Sequence, residues 1–308
     1  MNTQITELPL SALQGSSLLG FLAAIGAFQT LSSLPDGVNI QMKWIPAGAS
    51  YCPLLKFQLP MDTETFLQKL HSALCAYAGH YVIGMDKDLK IPCEIFRNFA
   101  IRAAEDFLAK KDTIAASFIA AFGCDAVGND LGHIEDTAFR TMSGAGHQHF
   151  LEFMNILAKE TTLEQLSEAI FGPWRYGDPS PVMRWDSEDD RRYALRWDEP
   201  SKDPVRTVRG ANLLAVAALP LFPTVPLSDH EIATTSFKGK GRRETYVTWP
   251  IWRGWLSLDA VRSLLALGEM QTDQVSTGTL SPLGIHALYR SQRITLGKYR
   301  NFTPAQAL

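Results

Sequence analysis

Four cations stand within the six residues Lys238-Gly239-Lys240-Gly241-Arg242-Arg243, and the two glycines relax the steric limits on the backbone that carries them. Such a loop suits a sugar-phosphate chain, which it meets by charge neutralisation and counterion release without a fixed geometry beforehand. Its ordinary alternative is a solvated hairpin tip whose charges block edge pairing. Towards the C-terminus, Tyr289-Arg290-Ser291-Gln292-Arg293 and Lys298-Tyr299-Arg300-Asn301-Phe302 interleave cations with rings. Arginine and lysine supply phosphate contacts while tyrosine stacks on unpaired bases, the combination of single-strand binders. The ordinary alternative here is an edge strand with a snorkelling cationic face.

Two weaker constellations lie in the first half. Thr141-Met142-Ser143-Gly144-Ala145-Gly146 runs towards a helix expected from His147, so Ser143, Gly144, Gly146 and His147 form a candidate anion site at a helix start. No Lys-Ser/Thr follows, so it is not a nucleotide P-loop. His133, Glu135, His147 and His149 carry side chains that ligate divalent metals. Their spacing matches no established motif, and on a helix His147 and His149 would diverge by ~200°. A metal-dependent nuclease or phosphodiesterase built on those four residues is the enzymatic alternative.

These residues need elements to hold them. Apolar residues recur at helical spacing from Ser16 to Ser33, with Ser16/Ser17 as cap and Gly20, Ala23, Ala24 and Ala27 leaving a small-residue surface for another backbone. Short strands are expected near Val38 to Trp44 and Leu54 to Leu59, a helix capped by Asp62 or Thr63, and helices at Glu94 to Leu108, Thr113 to Phe122, His147 to Leu157 and Leu163 to Phe171. Prolines, tryptophans and charges replace periodicity from Gly172 to Pro204, an ordered region of loops or short strands. Beyond it come a helix at Ala211 to Leu219, two strands (Ile232 to Phe237 and Thr245 to Trp249) joined by the cationic loop, a helix at Leu258 to Leu267 and a long strand at Ile285 to Leu296. The expected class is α+β, with a mainly helical acidic part over 1–172 and an α+β basic part over 173–308, or one continuous domain.

Composition bounds the rest. The 308 residues carry a net charge of -3, but residues 234–308 hold ten cations against four anions, so the tail is +6 and the remainder -9. This asymmetry points to a polyanion partner at one end of the molecule, or to docking among protein subunits. No apolar run is long enough for a membrane span. The first cation of the sequence is Lys43 and the four cysteines form no C-x-x-C pair, so the expectation is a cytoplasmic protein with buried free cysteines, no cofactor and no membrane partner.

Several stretches together carry a family resemblance: S-S-L-L-G-F-L-A-A-I-G at Ser16 to Gly26, M-R-W-D-S-E-D-D-R-R-Y-A-L-R-W-D at Met183 to Asp198, G-A-N-L-L-A at Gly210 to Ala215, T-W-P-I-W at Thr248 to Trp252, and R-S-Q-R-I-T-L-G-K-Y-R-N-F-T-P at Arg290 to Pro304. They resemble CRISPR-associated proteins of the type I-G (formerly I-U) group, including short large-subunit-like relatives. The resemblance implies a part in an RNA-guided surveillance complex, with guide RNA or target DNA and other effector subunits as partners. It brings no catalytic motif. At 308 residues the chain is short for a recognition domain plus a C-terminal helical bundle, so the resemblance implies a separate small subunit or an accessory role. The reading is a non-enzymatic subunit whose nucleic-acid-contacting residues are Lys238, Lys240, Arg242, Arg243, Tyr289, Arg290, Arg293, Lys298, Tyr299 and Arg300. The metal-dependent enzyme and a protein-binding accessory factor are its alternatives.

Overall fold

The computed structural model describes residues 4–35, 39–142, 147–187, 206–228, 231–239, 245–296 and 299–308. Within these the class is α+β, as expected. Helix α1 (Leu18–Ser32) is the centre of the molecule: Ser17 caps it through Gly20 N–H, and every residue from Leu18 to Leu31 is buried. A helix apolar all round can only be a core helix in a soluble fold. Its small-residue face meets helix α7 (Arg209–Ala218), and the crossing is so close that a Cβ on Gly26 would fall 1.8 Å from the Leu214 carbonyl oxygen. Glycine is therefore a geometric requirement at that point.

Around this pair lie helices α2 (Thr63–Cys75), α3 (Cys93–Leu108), α4 (Ile114–Phe122), α5 (Phe150–Glu160) and α6 (Leu163–Phe171). Asp62 accepts from Thr65 N–H to start α2, and Thr162 with Gln165 forms a capping box at α6. Three antiparallel strands, β1 (Ile5–Pro9), β2 (Gln41–Ala47) and β3 (Ser50–Met61), make a sheet in the order β1-β3-β2. Short ribbons follow: β4 (Gly123–Gly128) with β5 (Ile134–Asp136), β6 (Asp178–Pro179) with β7 (Arg206–Thr207), and β8 (Thr224–Ser228) with β9 (Glu231–Thr234). Helices α8 (Leu258–Leu265) and α9 (Thr277–Leu280) sit within the C-terminal part.

The second sheet contains β10 (Phe237–Lys238), β11 (Thr245–Trp252), β12 (Ile285–Leu296) and β13 (Tyr299–Phe302) in that order, with β14 (Gln306–Ala307) also paired to β12. Phe21 of α1 packs between Trp44 of β2 and Trp249 of β11, each at 5.8 Å between ring centroids. Trp249 donates to Gly15 O at 2.8 Å and Trp252 to Met42 O at 3.0 Å, so these two core rings also satisfy their N–H groups. Apolar residues of the N-terminal and C-terminal parts pool into one buried cluster.

Three expectations change. The strand at Ile232 to Phe237 is two strands in two sheets: Glu231–Thr234 pairs with β8, and only Phe237–Lys238 pairs with β11. Ser236 makes the break, with φ at 66°, a conformation that ends a strand. The helix expected from His147 starts three residues later, at Phe150, because His147 is left-handed (φ 58°) and His149 is extended. Cys52 is buried, its thiol pushed up to about 11 by burial, whereas Cys75, Cys93 and Cys124 are half-buried. Among the described residues no helix is long and apolar enough to cross a membrane.

Candidate nucleic-acid interface

Antiparallel register decides where the cationic segments meet. Thr245 of β11 faces Arg293 of β12, and β12 continues to Leu296, which faces Tyr299 of β13. The β10–β11 turn carrying Lys240, Arg242 and Arg243 and the β12–β13 turn carrying Lys298 therefore leave the same end of one sheet. Residues 240–244 and 297–298 lie outside the described residues, as does the side chain of Tyr299. In sequence terms that end gathers seven cations (Lys238, Lys240, Arg242, Arg243, Arg293, Lys298, Arg300) against Glu244 and the Asp273 that meets Lys238.

The nearer cations are differently engaged. Lys238 lies within β10 rather than in the turn, and its ammonium pairs with the Asp273 carboxylate, which it holds below the usual range. Arg300 is half-buried in β13. Arg293 donates from Nη2 to the Arg140 carbonyl at 2.7 Å. Arg290 donates from Nε to Thr248 Oγ1 at 2.8 Å and from Nη2 to the carbonyls of Met270 and Thr272, each at 2.9 Å. Burial holds the Arg290 guanidinium below its ordinary value, with Asp273 acting the other way. Tyr289 stacks on Trp249 at 6.1 Å and is half-buried. Alternation along β12 sets Tyr289 and Arg293 on one face and Arg290 on the other, and side chains of the body meet both faces there. The described arginines of β12 are thus engaged by the body of the protein, while Lys240, Arg242, Arg243 and Lys298 lie outside the described residues.

Arg293 leads to a buried charge cluster that sequence spacing did not expose. Arg140 is 8% exposed; its Nη2 lies 2.5 Å from Asp136 and its Nη1 3.3 Å from Asp88. Burial opposes the guanidinium charge, but Asp136 and then Asp88 outweigh it and hold the group above its ordinary value. Two carboxylates and the Met142 carbonyl, 3.3 Å from Nη1, make this a structural clamp, since a buried charge persists only when paired. Next to it, Phe139 packs against Phe237 of β10 at 4.8 Å and Phe302 of β13 at 6.5 Å. The segment before the glycine-rich loop is therefore wedged under the sheet end.

Ser143, Gly144 and Gly146 lie outside the described residues, but the helix start they were expected to feed is already occupied. The N–H groups of Leu151 and Glu152 both donate to the Lys87 carbonyl at 3.0 Å, so these donors of α5 face a protein acceptor. His147 is exposed, outside the helix. The metal set is likewise not brought together: among the described residues no three His, Cys, Asp or Glu side chains converge on one point. His133 bridges Pro92, Glu135 faces Cys124 across β4–β5, and His149 is the extended residue before α5.

A second cation-rich surface also escaped the sequence reading. Lys43 Nζ lies 4.3 Å and Lys56 Nζ 5.4 Å from the centroid of the Trp255 ring. The β2–β3 pairing sets Lys43 near Lys56, and the bridge between Met42 and Leu256 brings Trp255, some 200 residues along the sequence, beside them. Comparison of the chain with family models, with curated proteins and with solved structures finds no match.

Proposed function

We propose that this chain is a non-enzymatic, nucleic-acid-contacting subunit of an RNA-guided effector complex, as the resemblance to type I-G CRISPR-associated proteins implies. One observation supports the contact: the strands that flank the cationic segments 239–244 and 297–298, β10–β11 and β12–β13, are joined at the same end of a single sheet. The charges of those segments sum in one place, which raises the local potential for a polyanion far beyond what the net charge of -3 suggests. The acidic remainder of the chain suits docking to other protein subunits. Arg290 and Arg293 have a structural part in this reading, because their guanidinium groups already hold backbone carbonyls.

The test is a salt titration of binding to labelled single-stranded RNA and DNA with the full chain and its Lys240→Ala/Arg242→Ala/Arg243→Ala/Lys298→Ala variant. Four lost phosphate contacts at ~0.7 each flatten the slope of log K against log salt by about 2.8. An unchanged affinity and slope would remove the sheet end as the contact. Purification with its genomic neighbours under native conditions tests the complex, with co-eluting guide RNA as the expected result.

A further inference from the structure

We propose that Lys43 and Lys56, which share the Trp255 ring, together with Arg253 two residues before it, form a second phosphate-contacting surface for single-stranded nucleic acid, where strand β2 of the N-terminal sheet meets the chain leaving β11. The inference rests on the reading above and extends it to a separate set of residues. Trp252 faces Ile285 at the far end of the β11–β12 pair from Thr245 and Arg293, so Arg253 and Trp255 begin roughly 24 Å from the cationic turns, at about 3.4 Å per residue along β11.

The argument turns on how the lysines are held. Arg140 meets Asp88 and Asp136, Lys238 meets Asp273, and Arg262 meets Asp259. Lys43 and Lys56 instead share the face of an aromatic ring. A ring quadrupole orients an ammonium without cancelling its charge, so the pair keeps its full double positive charge where a salt bridge would have neutralised it. Glu7 lies directly across β3 from Lys56 in the register, yet no ion pair joins them. Arg253 is exposed and donates to His286 Nε2 at 2.8 Å. Beside it, Tyr51 stands edge-on to His286 at 5.6 Å, with the tyrosine half-buried and the histidine exposed. Cations that remain uncompensated, interleaved with partly open rings, favour a phosphate backbone carrying bases over an acidic protein segment.

The experiment compares wild type, Lys43→Gln/Lys56→Gln and the turn variant of the preceding section for binding to a 20-nucleotide oligothymidylate across a salt series. Ultraviolet cross-links are mapped by mass spectrometry in parallel. Both lysines are on the surface side of their strands, so the double variant should melt as wild type does. The expected result is a slope flatter by about 1.4, at ~0.7 per contact, with cross-links in the peptides carrying Trp255 or Tyr51. An unchanged slope and no such cross-link, while the turn variant still weakens, would overturn this surface and leave the proposed function standing. A weakened double variant with an unaffected turn variant would support this surface and remove the turns. Polyglutamate competing as well as the oligonucleotide at equal charge would overturn the nucleic-acid assignment. No binding by wild type would overturn both readings.

Discussion

Arg293 and Arg140, 153 residues apart, are joined through a 2.7 Å hydrogen bond from the guanidinium of one to the backbone carbonyl of the other. The guanidinium of Arg140 is in turn clamped by Asp136 and Asp88, so a single chain of polar contacts runs from the cationic end of the C-terminal sheet into the N-terminal part. A charged donor to a buried carbonyl contributes about 1.5–3 kcal/mol.

Arg293→Gln should therefore lower stability by about that amount in urea unfolding, at unchanged m-value. Substitutions at Lys240, Arg242 and Arg243 should stay within about 0.5 kcal/mol of wild type. A neutral Arg293→Gln that loses nucleic-acid affinity would assign the side chain to the interface instead.

That pair also shows what a sequence discloses and what it withholds. Helix α1, the span of α6 and the full extent of β12 were legible because each is decided by neighbours within a few residues, through apolar spacing or alternation. The partners of Arg290 and Arg293 were not, since a long side chain can reach a carbonyl 18 or 153 residues away and leaves no local signal. The same holds for Trp255 with Lys43 and Lys56. The break at Ser236 was hidden by the β-prone run Ile232 to Phe237, where tertiary pairing overrode propensity. The shared end of the two cationic turns follows from register, which composition does not contain.

Asp112 offers a pH-dependent test of the helical part. Its Oδ1 accepts from the N–H groups of Ile114 at 2.8 Å and Ala115 at 3.1 Å, and its Oδ2 meets His80 Nε2 at 2.7 Å. Burial disfavours the carboxylate, but the Ala115, His80 and Ile114 hydrogen bonds outweigh it and hold Asp112 below the usual range. The unfolded chain thus takes up the proton first as pH falls from neutrality. Its contribution is fully present above the unfolded value of about 3.9 and is lost as pH drops through the lower folded value. Asp112→Ala should cost about 0.5–2 kcal/mol at pH 7, the usual range for a lost helix-start acceptor. It should also flatten the acid limb of the stability curve. Parallel curves for the two proteins from pH 6 to pH 2 would remove Asp112 from the acid response.

The crossing of α1 and α7 makes the sharpest prediction about the core. A Cβ at position 26 would lie 1.8 Å from Leu214 O, 2.8 Å from Leu214 C and 3.0 Å from Ala218 N. All three atoms are backbone, so no side-chain rotation relieves the clash, and Gly26→Ala must separate two helices that are both buried. Overpacking of this kind costs about 3 kcal/mol or more, at the upper end for one added methyl. Gly268→Ala is the matched control, because a Cβ there meets nothing within 4 Å and should change stability by less than about 0.5 kcal/mol. Thermal unfolding of the two variants separates the cases: equal melting temperatures would mean that the helices do not cross at Gly26, while a large fall for Gly26→Ala alone is the expected result.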